Sequence, residues 1–257
     1  MKVNRTFERI FAIPDIHGRS DLLKKAFSFL ETQSYDPQKD MLIFLGDMID
    51  RGPDCKGVID LIKQKVEANP ESVFALRGNH EDFAIDVRVK GHSDKLQLWY
   101  MNGGLQTEDS YPNQVMSEEH LRFIGSLPYH VEAQGFYFSH APVPREHKRN
   151  GRTKMWGGSY GYRGQAYNVW ERTWHYIGPE CERSGAYMDV HEGPKSDNGT
   201  GSENLTGVCG HIHRLPSLAE ARLFPKYRML DAGCGCSEDA PLTVHECLSE
   251  RTYYIKP

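Results

Sequence analysis

The chain has 257 residues, 39% of them hydrophobic and 26% charged, with a formal net charge of −4. That length allows one large domain or two small ones and is ample for a self-sufficient core, so disulfide staples are not needed. The nearly balanced charge gives no global electrostatic reason to expect nucleic acid or an anionic membrane as partner.

The N-terminal segment is polar, and its first apolar run, Ile10–Ile13, stops at Pro14 and Asp15. The run is too short for a signal-peptide core or a membrane span, and none elsewhere approaches about 18 apolar residues. The expectation is a cytoplasmic protein. Its cysteines (Cys55, Cys181, Cys209, Cys234, Cys236 and Cys247) are then expected as reduced thiols packing as small hydrophobes. The spacing Cys234-Gly-Cys236 is too tight for the usual zinc or redox motif.

Ile10–Ile13 reads as a short buried strand. Apolar residues at 22, 23, 26, 27 and 30 then mark one face of a helix, with Ser20 as its expected N-cap. Met41–Leu45 is a second buried strand, closed by Gly46-Asp47. Helical spacing returns at Val58, Ile59, Leu61, Ile62 and Val66, and Ser72–Leu76 is a third strand. This β-α-β-α-β order predicts parallel strands joined by right-handed crossovers. Residues 82–127 read as mainly helical with a break at Gly103-Gly104, and Tyr129–Ser139 as a hairpin turning at Gln134-Gly135. Residues 142–190 are irregular, and 191–204 read as a long exposed loop. Strand signals at 205–209, 227–230, 242–247 and 252–255 predict a second, more antiparallel sheet. No linker divides the chain, so residues 1–257 are expected to form one domain.

Polar residues crowd the ends of the first three strands: Asp15 and His17, then Asp47, Asp50 and Arg51, then Asn79 and His80. In a parallel sheet these ends share one edge, where ligands of open α/β sheets bind. Asp, Asn and His suit hard-to-borderline divalent metals. Two later histidine sites join them: Ser139-His140-Ala141 and Gly210-His211-Ile212-His213.

The ordered set D-x-H-G, G-D-x-x-D-R-G, G-N-H-E, S-H-A and G-H-x-H resembles the calcineurin-like metallophosphoesterases, and within them the phosphoprotein phosphatase family. The likeness extends from Ile13 to about Val244 and is closer to the bacteriophage lambda type and its bacterial relatives. Trp99–Gly104, Val169–Arg172 and Leu230–Gly233 look like that subgroup's W-x-x-N-G-G, W-x-R and I-D-T-G blocks. Two departures stand out. Pro14 occupies the place of the usual Gly before the first Asp, and Ile212-His213 replaces Thr-Pro.

The resemblance implies a four-layer α/β/β/α sandwich of two mixed sheets. It also implies a pair of divalent ions, Mn²⁺ in vitro, with Fe or Zn as alternatives. Asp15 and His17 would hold the first ion, Asp47 would bridge, and Asn79, His140 and His211 would complete the second. His213 would add a ligand to the first. Arg51 and Arg172 would grip the phosphate with help from Asn79, with Arg163 and Arg152 as competitors of Arg172. His80, paired with Asp50, would be the general acid, and a hydroxide bridging the metals the nucleophile. Glu81 is expected to brace the loop rather than touch substrate. The implied activity is serine/threonine, or dual-specificity, protein dephosphorylation, with a phosphoprotein as partner and no nucleic acid. The rivals are a symmetrical dinucleoside tetraphosphate hydrolase and a catalytically inactive phospho-ligand binding module. The former group typically has Ala in place of Asp50 and G-N-H-D in place of Gly78–Glu81.

Overall fold

Three apolar runs build the centre of one sheet. β2 (Ile10–Ile13), β3 (Met41–Phe44) and β4 (Val73–Ala75) are parallel neighbours in that order. Their runs are apolar throughout because both faces are covered. Phe11 and Ile13 join the core beneath the helices, whereas Ile10 and Ala12 join a second core shared with the other sheet. The structure is a computed structural model that describes residues 1–141, 147–149, 152–153, 187–188, 205–211 and 227–257.

The connecting helices α1 (Ser20–Thr32) and α2 (Cys55–Ala68) bury Leu22, Leu23, Ala26, Val58, Ile59 and Ile62 in the helix-side core. Ser20 is not the N-cap expected of it. Arg19 takes that place, and the Ser20 hydroxyl donates instead to Asp54 Oδ2 at 2.5 Å. Asp54 itself caps α2, with Oδ1 accepting from the Gly57 N–H at 2.9 Å. α3 (Asn79–Arg88), α4 (Leu96–Met101), α5 (Gly104–Asp109) and α6 (Glu118–Ser126) fill the helical middle segment. Among the described residues no helix is long and apolar enough to cross a membrane.

The second sheet runs β1 (Lys2–Val3), β5 (His130–Ala133), β6 (Phe136–Ser139), β10 (Thr206–Cys209) and β11 (Tyr227–Met229), in that spatial order. β5 and β6 form the expected hairpin, and Gln134 and Gly135 both take positive φ (44° and 86°), as a tight two-residue turn requires. Three short strands, β7 (His147–Arg149), β8 (Arg152–Thr153) and β9 (Tyr187–Met188), make a separate small sheet.

The expectation of a more antiparallel second sheet is corrected by the pairing. β10 runs parallel to both β6 and β11, and β1 runs parallel to β5. The last two strands, β12 (Leu242–Glu246) and β13 (Arg251–Ile255), join the first sheet instead, β12 lying antiparallel to β2. An apolar strand pattern specifies burial, not direction or partner, so both assignments depend on packing between distant segments. The α/β class and the two facing mixed sheets agree with the expected sandwich. Because β6, β10 and β11 are parallel, their C-terminal ends meet the ends of β2, β3 and β4 across the inter-sheet core.

Candidate active site

Six strand ends deliver the polar side chains. Asp15 and His17 follow β2, Asp47 follows β3, and Asn79 and His80 open α3 after β4. His140 follows β6, His211 follows β10, and Asp231 follows β11. All eight are buried.

Asp47 lies at the centre. Its Oδ2 is 3.6 Å from His17 Nε2, 3.7 Å from His80 Nε2 and 3.3 Å from His140 Nε2. Its Oδ1 accepts from the His80 N–H at 3.1 Å. His140 Nε2 is 3.0 Å from Asn79 Oδ1 and 3.1 Å from His211 Nδ1. Asp15 Oδ2 is 3.9 Å from His17 Nε2, and its Oδ1 accepts from the His211 N–H at 2.8 Å. Two ligand-like groups thus share Asp47: one with His17 and His80, the other with His140 and His211.

Local backbone makes this convergence possible. His17, Asp47, Asp50, Arg51 and His211 all take positive φ between 45° and 71°. Such geometry is strained for non-glycine residues and concentrates at functional sites. Two glycines let carboxylates approach the backbone closely. A Cβ on Gly78 would stand 2.1 Å from Asp47 Oδ1, and one on Gly210 would stand 2.1 Å from Asp15 Oδ1.

The donor set fits divalent cations. His17 Nδ1 donates to the Ile49 carbonyl at 2.7 Å, and His140 Nδ1 to the Leu45 carbonyl at 3.0 Å. Those bonds turn both Nε2 atoms toward Asp47, the arrangement that orients imidazole ligands in metal sites. The cluster also favours positive charge. Burial opposes protonation of His140, yet Asp47 and Asp15 outweigh it and push the pKa up to about 9. Burial would raise Asp47, but His140, His80 and His17 hold it well below the usual carboxylate range. His17, in contrast to His140, is driven well below the usual imidazole range, by burial first and then by the charges of His80 and Arg51.

A second group flanks this cluster. His80 Nδ1 donates to Asp50 Oδ2 at 2.6 Å. Burial disfavours the imidazolium, but Asp47 and Asp50 overcome it and raise the His80 pKa. The Arg51 guanidinium reaches over both rings, 2.8 Å from His17 Nε2 and 3.1 Å from His80 Nε2. It also lies 3.2 Å from Cys236 Sγ.

Glu81 braces the loop as expected. Its carboxylate accepts from the N–H groups of Gly78 (2.8 Å), Asp47 (2.9 Å) and Met48 (2.9 Å), with Ile49 longer at 3.4 Å. Burial, with the charge of Asp47 beside it, pushes the Glu81 carboxyl up to about 7. Cys55, Cys209, Cys234 and Cys247 are buried and unbridged, and Cys236 is exposed.

Asp15, His17, Asp47, Asp50, Arg51, Asn79, His80, His140 and His211 therefore come together. Arg172, His213, Arg163, Cys181 and the side chain of Arg152 lie outside the described residues. Sequence reasoning missed the side chains that surround Asp50, namely Trp99 and Thr107, as well as the proximity of Cys236 to Arg51. The W-x-x-N-G-G block flagged Trp99 without a role, and Thr107 carries no motif signal.

A family model described as calcineurin-like phosphoesterase matches residues 8–215. Serine/threonine-protein phosphatase 1 of Salmonella typhimurium (strain LT2) is 38% identical over 100 residues, covering 39% of this chain and 41% of that protein. Serine/threonine-protein phosphatase 2 of Escherichia coli (strain K12) is 34% identical over 98 residues, covering 38% of this chain and 39% of that protein. The matches thus span about four tenths of each relative's length. Among solved structures, one provisionally assigned as a diadenosine tetraphosphatase aligns with a TM-score of 0.58 at 17% identity, covering 100% of this chain and 96% of that one. A Saccharomyces cerevisiae protein serine/threonine phosphatase aligns with a TM-score of 0.55 at 14% identity, covering 100% of this chain and 82% of that one. These two likenesses are of fold.

Proposed function

Since the chain belongs to the calcineurin-like phosphoesterase family, we propose that it is a metal-dependent phosphomonoester hydrolase acting on phosphoserine and phosphothreonine in proteins, with residues 1–257 as one catalytic domain. The observation that carries this reading is the His80–Asp50 pair at 2.6 Å, set beside the Asp47 cluster and under Arg51. A serine alkoxide is a poor leaving group and needs a positioned acid.

In this reading Asp15, His17 and Asp47 hold one divalent ion, joined by His213. Asp47, Asn79, His140 and His211 hold the other. Mn²⁺ serves in vitro, and the same donors accept Fe or Zn. Bound there, two such ions supply Lewis-acid activation of water and of the phosphoryl oxygens. Arg51 donates its forked N–H groups to the phosphate, a geometry matched to two oxygens, and Arg172 provides the second clamp. The Asn79 side chain helps to orient the same phosphate. His80, protonated under the influence of Asp47 and Asp50, gives its Nε2 proton to the departing serine oxygen.

Asp50 and Glu81 favour protein dephosphorylation over cleavage of dinucleoside tetraphosphates. The test is a substrate panel with Mn²⁺: a phosphoserine peptide, p-nitrophenyl phosphate and diadenosine tetraphosphate. Hydrolysis of the first two is expected. Cleavage of the dinucleotide with both monoesters left intact would establish the rival enzyme. Binding without turnover of any would establish a phospho-ligand binding module.

A further inference from the structure

Asp50 lies wholly buried, with its carboxylate enclosed by three donors among the described residues. His80 Nδ1 donates to Oδ2 at 2.6 Å. The Trp99 indole N–H spans both oxygens, 3.1 Å from Oδ1 and 3.0 Å from Oδ2. The Thr107 hydroxyl is 2.5 Å from Oδ1 and also 2.9 Å from the Asp50 backbone nitrogen. The backbone N–H can only donate, so it takes a lone pair of the hydroxyl. The hydroxyl proton is thereby left for Oδ1. One side chain thus fixes both the backbone and the carboxylate of Asp50, a residue held at φ 71°.

The turn after Asp50 is fixed from the same side. The Gly103 carbonyl accepts from the Arg51 N–H at 3.2 Å. A Cβ on Gly103 would stand 2.5 Å from the Arg51 nitrogen, and one on Gly104 would stand 2.6 Å from the Trp99 ring. The Trp99–Gly104 block is therefore the back wall of the Asp50–Arg51 turn.

We infer that Trp99 and Thr107 are positioning residues of the proposed hydrolysis. They hold the Asp50 carboxylate so that Oδ2 meets His80 Nδ1, which leaves His80 Nε2 facing the site. This inference rests on the reading of His80 as the acid. Losing the Thr107 hydroxyl lets the carboxylate rotate and weakens the aim of Nε2. The loss should be felt where the leaving group needs a proton and little where it does not.

The test compares a phosphoserine peptide with p-nitrophenyl phosphate in the full chain with Mn²⁺, for Thr107→Val, Thr107→Ser and His80→Asn. Thr107→Val should lower kcat on the peptide by about tenfold, the worth of one hydrogen bond to a charged group. It should leave kcat on the nitrophenyl ester within about twofold and KM nearly unchanged on both. Thr107→Ser keeps the hydroxyl and should restore the peptide rate. Equal losses on both substrates, or no rescue by serine, would overturn the inference. His80→Asn separates the two ideas. If it slows both substrates equally, the acid reading falls and this inference with it. If it is selective and Thr107→Val is not, this inference alone falls. Should Thr107→Val not fold, Trp99→Phe, which keeps the ring and loses the N–H, is expected to show the same selectivity, and its absence counts against the inference.

Discussion

Asp47 combines a left-handed backbone (φ 50°) with a carboxylate that three imidazoles face, and His17, Asp50, Arg51 and His211 share the backbone strain. Each such residue costs on the order of 1 kcal/mol or more. Backbone N–H groups donate to the Glu81 carboxylate and, at Asp50, to the Thr107 hydroxyl, and these bonds hold the Asp47–Asp50 turn in place. The residue types of this centre were readable from the sequence because Asp, His and Asn recur at strand ends. Their backbone strain was not, since no spacing encodes φ. Away from the centre, His245 on β12 offers a separate titration. It is buried, its Nδ1 pairs with Thr252 Oγ1 at 2.8 Å, and its Nε2 has no hydrogen-bond partner among the described residues. Burial, with Arg228 nearby, pushes its pKa down to about 4. The folded chain thus binds fewer protons there than the unfolded chain, and stability falls as pH drops from about 6.5 toward 4. At pH 5 the loss is about 2 kcal/mol. Urea unfolding at pH 7 and pH 5 should show a smaller drop for His245→Gln than for the wild-type chain. Equal drops would show that His245 does not contribute.

Helix α3 links sheet to site. Its first turn carries Asn79 and His80 into the cluster, while Glu81 reaches back to the loop after β3. Removing that carboxylate strands several buried N–H groups, at about 1–3 kcal/mol each before relaxation. Glu81→Leu is expected to lose about 3 kcal/mol or more in chemical denaturation, and Glu81→Gln less, because one carbonyl oxygen remains. A Glu81→Leu chain within about 1 kcal/mol of wild type would contradict the bracing role. The strands β2, β3 and β4, the two crossover helices and the β5–β6 hairpin were all evident in apolar periodicity and turn residues. What stayed hidden were the partners: β12 joining β2, and β10 running parallel to β6 and β11. Pairing depends on which distant faces meet, and four-residue strands carry little information about it. Ser20 departs from its expected N-cap role for a similar reason, since its hydroxyl donates to Asp54 on another element.

At the scale of the whole molecule, the two sheets face each other so that six strand ends meet, and the polar cluster lies where the inter-sheet core ends. The formal net charge of −4 therefore says little about the substrate. Arg51 and two divalent ions would supply locally the positive field that the composition lacks. The most direct measurement follows phosphate release from a phosphoserine peptide by the wild-type chain and by Asp47→Asn. Each is assayed after chelation and again after Mn²⁺ is returned. The wild-type chain should be inactive when chelated and recover with Mn²⁺, whereas Asp47→Asn should stay at least about a hundredfold slower with Mn²⁺ present. Undiminished release by the chelated wild-type chain, or a wild-type rate from Asp47→Asn, would contradict a metal-dependent hydrolysis centred on Asp47.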